Sequence, residues 1–480
     1  MLFNSLEFIF YFLPIVLILF YIFSLKNRSI LRPTLLVSSL VFYSYWDISY
    51  TVVFLASIVF NFYISQRILD NKITEKLRKS LFVTGVVANV LLLVYYKYTL
   101  FILNNVNQLF STNLYLPNIV LPLAISFFTF QQIAYLADCY KERNISYNFV
   151  DYALFVSFFP QLIAGPIVHH SEVMPQIKKL DSLKLQNFNK GLFVFLMGLF
   201  KKVVVADYFA KIANLGFNFD GSLTFYDSWV SSLSYTIQLY FDFSGYTDMA
   251  IGLGLFFGIH IPDNFNSPYK AVNIQDFWRR WHITLSHWLR DYIYIPLGGN
   301  RSGSSRTLTN IFLTFLIGGI WHGAGWTFVV WGALHGLANL VYRLWDEHVK
   351  IKLPKYVGMA ITFMFANIAW VFFRATDVNV AIKMLKSMFT FDNLILPAGL
   401  ARFASYLPFA EFGLHSPVTQ TSIKTLLVLI IVLLSCFFIP NSKTLRKNFK
   451  TNYKYLLLLA VFTVSLLFIN DASEFIYFQF

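Results

Sequence analysis

Two histidines raise the chemical question. The stretch GGIWHGAGW, Gly318 to Trp326, places His322 among glycines and between Trp321 and Trp326, in a run otherwise apolar enough to sit in lipid. A neutral imidazole, with a reference pKa of about 6.5, takes a proton from a hydroxyl and returns it to a leaving group. A histidine in a membrane helix also serves structurally, by donating to a carbonyl of a neighbouring helix, so the local sequence leaves both roles open. The glycines read two ways as well. They let a substrate chain or thioester approach the backbone, or they let helices pack closely.

The second histidine lies in the longest polar interruption, NIQDFWRRWHITLSHWLRDYIYIPLGGNR, Asn273 to Arg301. Read as one amphipathic helix starting at Asp276, this stretch puts Trp278, Trp281, Leu285 and Trp288 on an apolar face. Arg279, His282, Ser286 and Arg290 fall on one polar face, and Arg280, Thr284, His287 and Asp291 on another. Such a helix is expected to lie at the headgroup level of a bilayer. His282 and His287 are about 140° apart around a helix, which argues against a shared metal ion. Asp242 and Asp248, in YFDFSGYTDMAIGLG, either line a polar cavity or pair with Lys201, Lys202 or an arginine. His335 reads as structurally satisfied, and His169 and His170 as exposed residues at a membrane boundary. There is no nucleotide-binding glycine loop, HExxH or GxSxG motif.

The elements that must position these residues are membrane helices. Of 480 residues, 57% are hydrophobic and 13% charged, a balance that excludes a water-soluble domain of this size. Apolar runs suited to spanning extend over Phe8 to Ser24, Leu31 to Trp46, Tyr50 to Gln66, Leu81 to Tyr98, Leu116 to Tyr140 and Phe149 to Val168. Further runs cover Gly191 to Phe209, Trp229 to Ile259, Thr307 to Trp321, Thr327 to Trp345, Val357 to Phe373, Ile423 to Ile439 and Tyr455 to Asn470. The first run has no charged start or cleavage site and reads as a retained span.

The net charge of +14 lies in clusters between these runs, which mark cytoplasmic loops rather than a nucleic-acid-binding face. Lys26 to Arg32, Arg67 to Lys79, Lys141 to Arg143, Lys350 to Lys355 and Lys443 to Lys454 are expected inside. The uncharged Asn104 to Asn118 loop, the stretch Thr376 to Ser422 and both termini are expected outside. The middle, from Phe149 to Trp345, is too interrupted by proline, glycine and charge for such counting. Irregular backbone at membrane depth needs protein or a wet cavity around it, so function is expected there. Cys139 and Cys436 form no metal-ligand spacing and suggest no disulfide framework. One domain, 1–480, is expected, with N-terminal spans 1–148, a catalytic core 149–345 and C-terminal spans 346–480.

With these residues in hand, the chain resembles the membrane-bound O-acyltransferases, in the bacterial branch typified by the alginate O-acetylation protein. The resemblance rests on SFFTFQQIAYLADCY (Ser126 to Tyr140), FFPQLIAGPIV (Phe158 to Val168), YFDFSGYTDMAIGLG (Tyr240 to Gly254) and Phe277 to Arg301. It extends through GGIWHGAGWTFVVWGALHG (Gly318 to Gly336), WVFFRA (Trp370 to Ala375) and the terminal FIYFQF. It implies an all-α polytopic fold: a ring of transmembrane helices around a thinned centre, with a tunnel facing the cytoplasm.

It also implies transfer of an acyl group, usually acetyl, from a cytoplasmic thioester towards the hydroxyl of an extracytoplasmic polysaccharide. The donor is acetyl-coenzyme A or an acyl-carrier thioester, and no bound cofactor or metal is expected. By motif match, His322 is the expected catalytic histidine and His282 the second. Arg279, Arg280 and Arg290 are candidates to guide an anionic donor. Ser286, Asp242, Asp248 and Trp321 are candidates to line its cavity. A bacterial cytoplasmic-membrane location and a separate extracytoplasmic transferase as partner follow from the same likeness. The rival functions are a transporter or flippase for lipid-linked sugars, and a D-alanyl-type transferase using a carrier protein.

Overall fold

Helix starts follow the sequence's capping residues. The computed structural model describes the chain except residues 164, 181–183, 302, 392–393, 402–410, 414–415, 419–422, 449–453 and 470–480. The terminal FIYFQF motif lies outside the described residues. In chain order the helices are α1 (Leu13–Lys26, preceded by a π-helical turn at Phe8–Phe12), α2 (Leu31–Ser44), α3 (Ile48–Leu69), α4 (Glu75–Leu93), α5 (Thr99–Phe110) and α6 (Ile125–Lys141). There follow α7 (Phe149–Ser157), α8 (Phe159–Leu162), α9 (His170–Lys178), α10 (Leu185–Phe200), α11 (Asp207–Phe217) and α12 (Phe225–Phe256). Next are α13 (Ile274–Trp278), α14 (Ile283–Leu289), α15 (Ser304–His322), α16 (Trp326–Leu344), α17 (Lys355–Arg374) and α18 (Val378–Phe389). The last are α19 (Ile423–Phe438), α20 (Ser442–Lys447) and α21 (Lys454–Phe468).

Side-chain oxygens of Asp47, Thr74, Asn148 and Asp377 accept backbone N–H groups at the starts of α3, α4, α7 and α18. Thr224 and Asp227 form a reciprocal capping box for α12. Among the described residues, four helices suffice by length and composition to cross a bilayer: Phe8–Lys26, Ile48–Leu69, Glu75–Phe110 and Lys355–Arg374. The chain is an all-α polytopic membrane protein. Strand structure among the described residues is one short parallel pair, β1 (Ile395–Pro397) and β2 (Glu411–Gly413).

The 32-residue α12 is the central post, buried along almost its whole length. It packs on α10 backbone to backbone: a Cβ on Gly198 would stand 2.5 Å from the Gly245 carbonyl oxygen, and one on Gly252 would stand 2.6 Å from that of Gly191. A π-helical turn, Lys201–Ala206, joins α10 to α11 and carries Lys202 against α12. There the ammonium lies 2.7 Å from Asp207 Oδ1 and 2.7 Å from Asp242 Oδ1, with all three side chains buried. Replacing Lys202 with Met would leave two buried carboxylates facing each other, and breaking a buried pair costs about 3–5 kcal/mol. A Lys202→Met protein is expected to show a clearly lower thermal unfolding midpoint in detergent than wild type, whereas an equal midpoint would deny the triad a structural role.

Three expectations about the elements are corrected. Phe149 to Val168 is not one span: α7 ends at Ser157, and α8 restarts at Phe159 with Pro160 in its first turn. Proline cannot continue the ladder from the preceding turn, and the backbone N–H of Phe159 donates instead to Ser39 Oγ at 3.2 Å. The break is tolerated because residues 151–163 around it are buried in protein. The run from Leu116 becomes helical only at Ile125, after Pro117 and Pro122. The stretch Thr376 to Ser422 is not a plain loop, since it contains α18, whose Ala381, Met384 and Met388 are buried at helical spacing.

Candidate active site

His322 is the last residue of α15, and the chain turns extended at Gly323 before α16 begins at Trp326. The two helices form a tight hairpin. A Cβ on Gly319 would stand 2.5 Å from the Phe328 carbonyl oxygen and 2.7 Å from Gly332 Cα, so close packing explains that glycine. Gly319→Val is expected to lower the unfolding midpoint, because overpacking against rigid backbone costs about 1–3 kcal/mol or more. A midpoint unchanged from wild type would show that the hairpin has slack there.

The imidazole of His322 is buried within an aromatic wall. Its ring centroid lies 5.0 Å from those of Trp321 and Trp331 and 5.2 Å from that of Phe373. The other expected histidine closes the arrangement: the His282 and His322 centroids are 6.3 Å apart. Two buried rings separated by forty positions in sequence thus lie near each other.

The path to His282 differs from the expected amphipathic helix. α13 ends at Trp278, and His282, with φ +44°, is the left-handed residue that caps the start of α14, so the two polar faces read from a continuous helix do not exist. Trp278, Trp281, Leu285 and Trp288 are buried as expected, but in the protein core rather than at a headgroup surface. Asn264, which the sequence reading did not single out, secures the bend. Its Oδ1 accepts from Thr284 N at 3.1 Å and Thr284 Oγ1 at 3.0 Å, and its carbonyl accepts from Ile283 N at 3.0 Å.

Because a backbone N–H donates to Asn264 Oδ1, the amide orientation is settled. The contact from that oxygen to His282 Nδ1, at 3.2 Å, is then a bond donated by Nδ1–H. In the neutral ring the lone pair sits on Nε2, which is buried and has no hydrogen-bond partner among the described residues. His282 therefore carries an acceptor nitrogen without a hydrogen-bond partner among the described residues. A neutral His282 in this tautomer does not offer Nε2–H to an oxyanion.

The remaining candidates are dispersed. Arg279 is exposed; Arg280 pairs with Asp276 at 2.8 Å, and Arg290 with its neighbour Asp291 at 2.7 Å. Ser286 donates to the Trp278 carbonyl. Asp242 sits in the Lys202 triad, and Asp248 lies 2.6 Å from both Lys201 Nζ and Ser442 Oγ, so the pairing alternative describes both acids. His335 is buried and accepts from Trp278 Nε1 at 3.2 Å.

His169 and His170 are not explained by exposure, for His170 is buried and both approach Asp138 Oδ2, at 2.7 and 3.1 Å. Tyr292 OH donates to the same oxygen at 2.7 Å. Asp138, His169 and His170 bring one potential metal-ligand atom each within 4.8 Å of one another. However, Ser171 N–H donates to His169 Nδ1, which leaves the proton on Nε2 for Asp138. The geometry is that of a hydrogen-bonded buttress between α6, α9 and the turn after α14. Burial opposes charge on His169, but the bond to Asp138 and that carboxylate's charge outweigh it and raise the imidazole pKa above its ordinary value.

On the side of the Trp46 turn a cleft reaches His322, and His282 is not among its lining residues. This cleft of ≈ 60 Å³ is lined by Trp46, Lys97, Leu123, Ser126, Trp321 and His322, among others. A larger cavity of ≈ 610 Å³, between α10, α12 and α19, includes Lys201, Cys436 and Ser442 but neither site histidine.

Sequence comparisons fit this site. Residues 139–379 match the model of the membrane-bound O-acyltransferase family, a span that contains both His282 and His322. The peptidoglycan O-acetyltransferase of Helicobacter pylori is 43% identical, covering 100% of this chain and 98% of its own. A protein described as a probable alginate O-acetylase in Pseudomonas aeruginosa is 40% identical over 88% of this chain and 83% of its own. The teichoic acid D-alanyltransferase of Bacillus subtilis is 28% identical over 48% of this chain and 61% of its own. A buried histidine pair in a polytopic helical frame, within a family match and whole-length likeness of this extent, identifies the chain as a member of the membrane-bound O-acyltransferase family, an acyltransferase of its alginate-O-acetylase-like bacterial branch.

Proposed function

We propose that this acyltransferase takes an acetyl group from a cytoplasmic thioester, acetyl-coenzyme A, and delivers it across the membrane for O-acetylation of an extracytoplasmic polysaccharide. The observation that carries the reading is the 6.3 Å approach of His282 and His322 inside a wall of tryptophan and phenylalanine. His322 acts as general base. It removes the proton of an acceptor hydroxyl as that oxygen attacks the thioester carbonyl; the C–S bond breaks, and the proton passes from the imidazole to the departing thiolate. His282 orients the reacting groups by accepting a hydrogen bond at Nε2, the role its tautomer supports.

With the basic loops inside, the Trp46 turn and the uncharged Asn104 to Asn118 segment, which starts in the last turns of α5, face outwards, so the cleft at Trp46, Lys97 and His322 admits the acceptor side. Both termini are then outside, and the membrane is the bacterial cytoplasmic membrane. The names of the two O-acetylating relatives described above support a polysaccharide as the final acceptor. A separate extracytoplasmic transferase is the partner that completes delivery.

The test uses the full chain in nanodiscs with radiolabelled acetyl-coenzyme A. Thioester turnover that depends on His322 is expected. Turnover independent of His322 would contradict the base assignment. Turnover only of a carrier-protein thioester would favour the D-alanyl-type reading, which the teichoic acid D-alanyltransferase likeness keeps in view.

A further inference from the structure

The helix that ends in His322 has no cap of its own. An α-helix leaves its last four carbonyls without intrahelical partners, and these are commonly met by a left-handed glycine just beyond the end. Here Gly323 is extended, with φ −161°, and makes no such cap. The missing donors come from another part of the chain, the π-helical turn Val94–Tyr98 between α4 and α5. Tyr98 OH donates to the Ile320 carbonyl at 2.7 Å. Lys97 Nζ donates to the Trp321 carbonyl at 2.6 Å and to that of His322 itself at 3.0 Å. Its third neighbour is Ser126 Oγ on α6, at 3.4 Å, and the ammonium lies 5.8 Å from the centroid of the Trp321 ring.

Three consecutive carbonyls are thus held by two adjacent residues more than 220 positions away. A cation at a helix C-terminus also opposes the negative end of the helix dipole. The π-helical turn matters to the geometry, because it widens the helix locally where Lys97 and Tyr98 must both reach α15. Among the described residues Lys97 has no carboxylate in ion-pair contact. Its donors are directed instead to the end of the helix that presents the base.

We propose that Lys97, supported by Tyr98, is a positioning residue for His322: it fixes the last turn of α15 and so holds the imidazole at its distance from His282. The proposal rests on the reading of His322 as general base. It assigns a role in turnover to a lysine that does not touch the reacting atoms through its own chemistry.

The test compares Lys97→Met, Lys97→Arg and Tyr98→Phe with wild type and His322→Ala, as full chains in nanodiscs turning over acetyl-coenzyme A. Lys97→Met is expected to lower kcat by about 10- to 100-fold, the effect of displacing a reacting group by about 1 Å. KM for acetyl-coenzyme A is expected to stay within about twofold, since no donor contact is lost. Lys97→Arg, which retains charge and donors, is expected to recover most of the lost kcat, and Tyr98→Phe to lower it by about 2- to 5-fold.

A folded Lys97→Met protein with wild-type kcat would overturn the proposal, as would an arginine variant no better than methionine. If Lys97→Met does not fold, Tyr98→Phe decides: an unchanged kcat overturns the proposal, and a lowered kcat with unchanged KM supports it. Wild-type turnover by His322→Ala would instead remove the base assignment on which the proposal stands. Loss in His322→Ala without loss in Lys97→Met would remove only the positioning role.

Discussion

His322→Ala is expected to lower acetyl-coenzyme A turnover in nanodiscs by about 10²- to 10⁴-fold, the range supplied by a positioned general base. That range corresponds to about 2.7–5.4 kcal/mol in the barrier. The loss should fall on kcat, because the imidazole acts on a proton in flight rather than on the donor's distal groups. Folding is a separate matter, since the ring packs against Trp331 and Phe373 and its removal leaves a cavity. His322→Gln is therefore the companion variant: it fills more of that space, offers hydrogen bonds, and cannot serve as a base near neutral pH. Equal losses in the two variants, at unfolding midpoints that differ, would assign the effect to chemistry. Wild-type kcat in a folded His322→Gln protein would contradict it.

The second large effect belongs to His282. Its backbone is left-handed, a conformation that asparagine tolerates better than most residues, so His282→Asn preserves the bend between α13 and α14 while deleting the Nε2 acceptor. His282→Ala removes the acceptor and also takes away the Nδ1–H that Asn264 receives, alongside a strained φ. Both variants are expected to lose kcat by about 10²-fold, and the alanine protein should in addition melt lower than the asparagine protein. If His282→Asn turned over donor within about threefold of wild type, the orienting role would be lost and His322 would stand alone.

Much of the fold was legible because a bilayer restricts the possibilities. Apolar runs gave α1 to α3, α16, α17 and α19 near their observed limits, since few other structures satisfy a backbone in lipid. The failures fall where protein, not lipid, surrounds the chain. At Phe149 to Val168 hydrophobicity alone could not distinguish a span from a buried, proline-broken segment. At Asp276 to Arg290 the spacing of Trp278, Trp281, Leu285 and Trp288 suits one helix or two short helices meeting at a left-handed residue. No glycine marks His282 as that residue.

The site was less legible than the frame. Spacing kept His322 and His282 apart, and only the family likeness joined them before their rings were seen to meet. Asn264 carried no signal that distinguished it from an ordinary loop asparagine. Lys97 did carry one: a lone cation in the run LLLVYYKYTLF, where an unexplained charge at membrane depth asks for a partner. The partners proved to be carbonyls of a distant helix, which no pattern of side-chain types reveals. Arg280 and Arg290 are paired with acids within their own segment.

The most direct test of transfer through the histidine pair uses proteoliposomes with uniformly oriented chains. Labelled acetyl-coenzyme A is supplied on the face bearing the basic loops, and a soluble polysaccharide with its extracytoplasmic transferase on the other. The expected result is acetyl label on the far-side polymer with wild-type protein and none above background with His322→Gln. Label reaching the polymer equally in the His322→Gln liposomes, with that protein folded and oriented as wild type, would contradict transfer through His322.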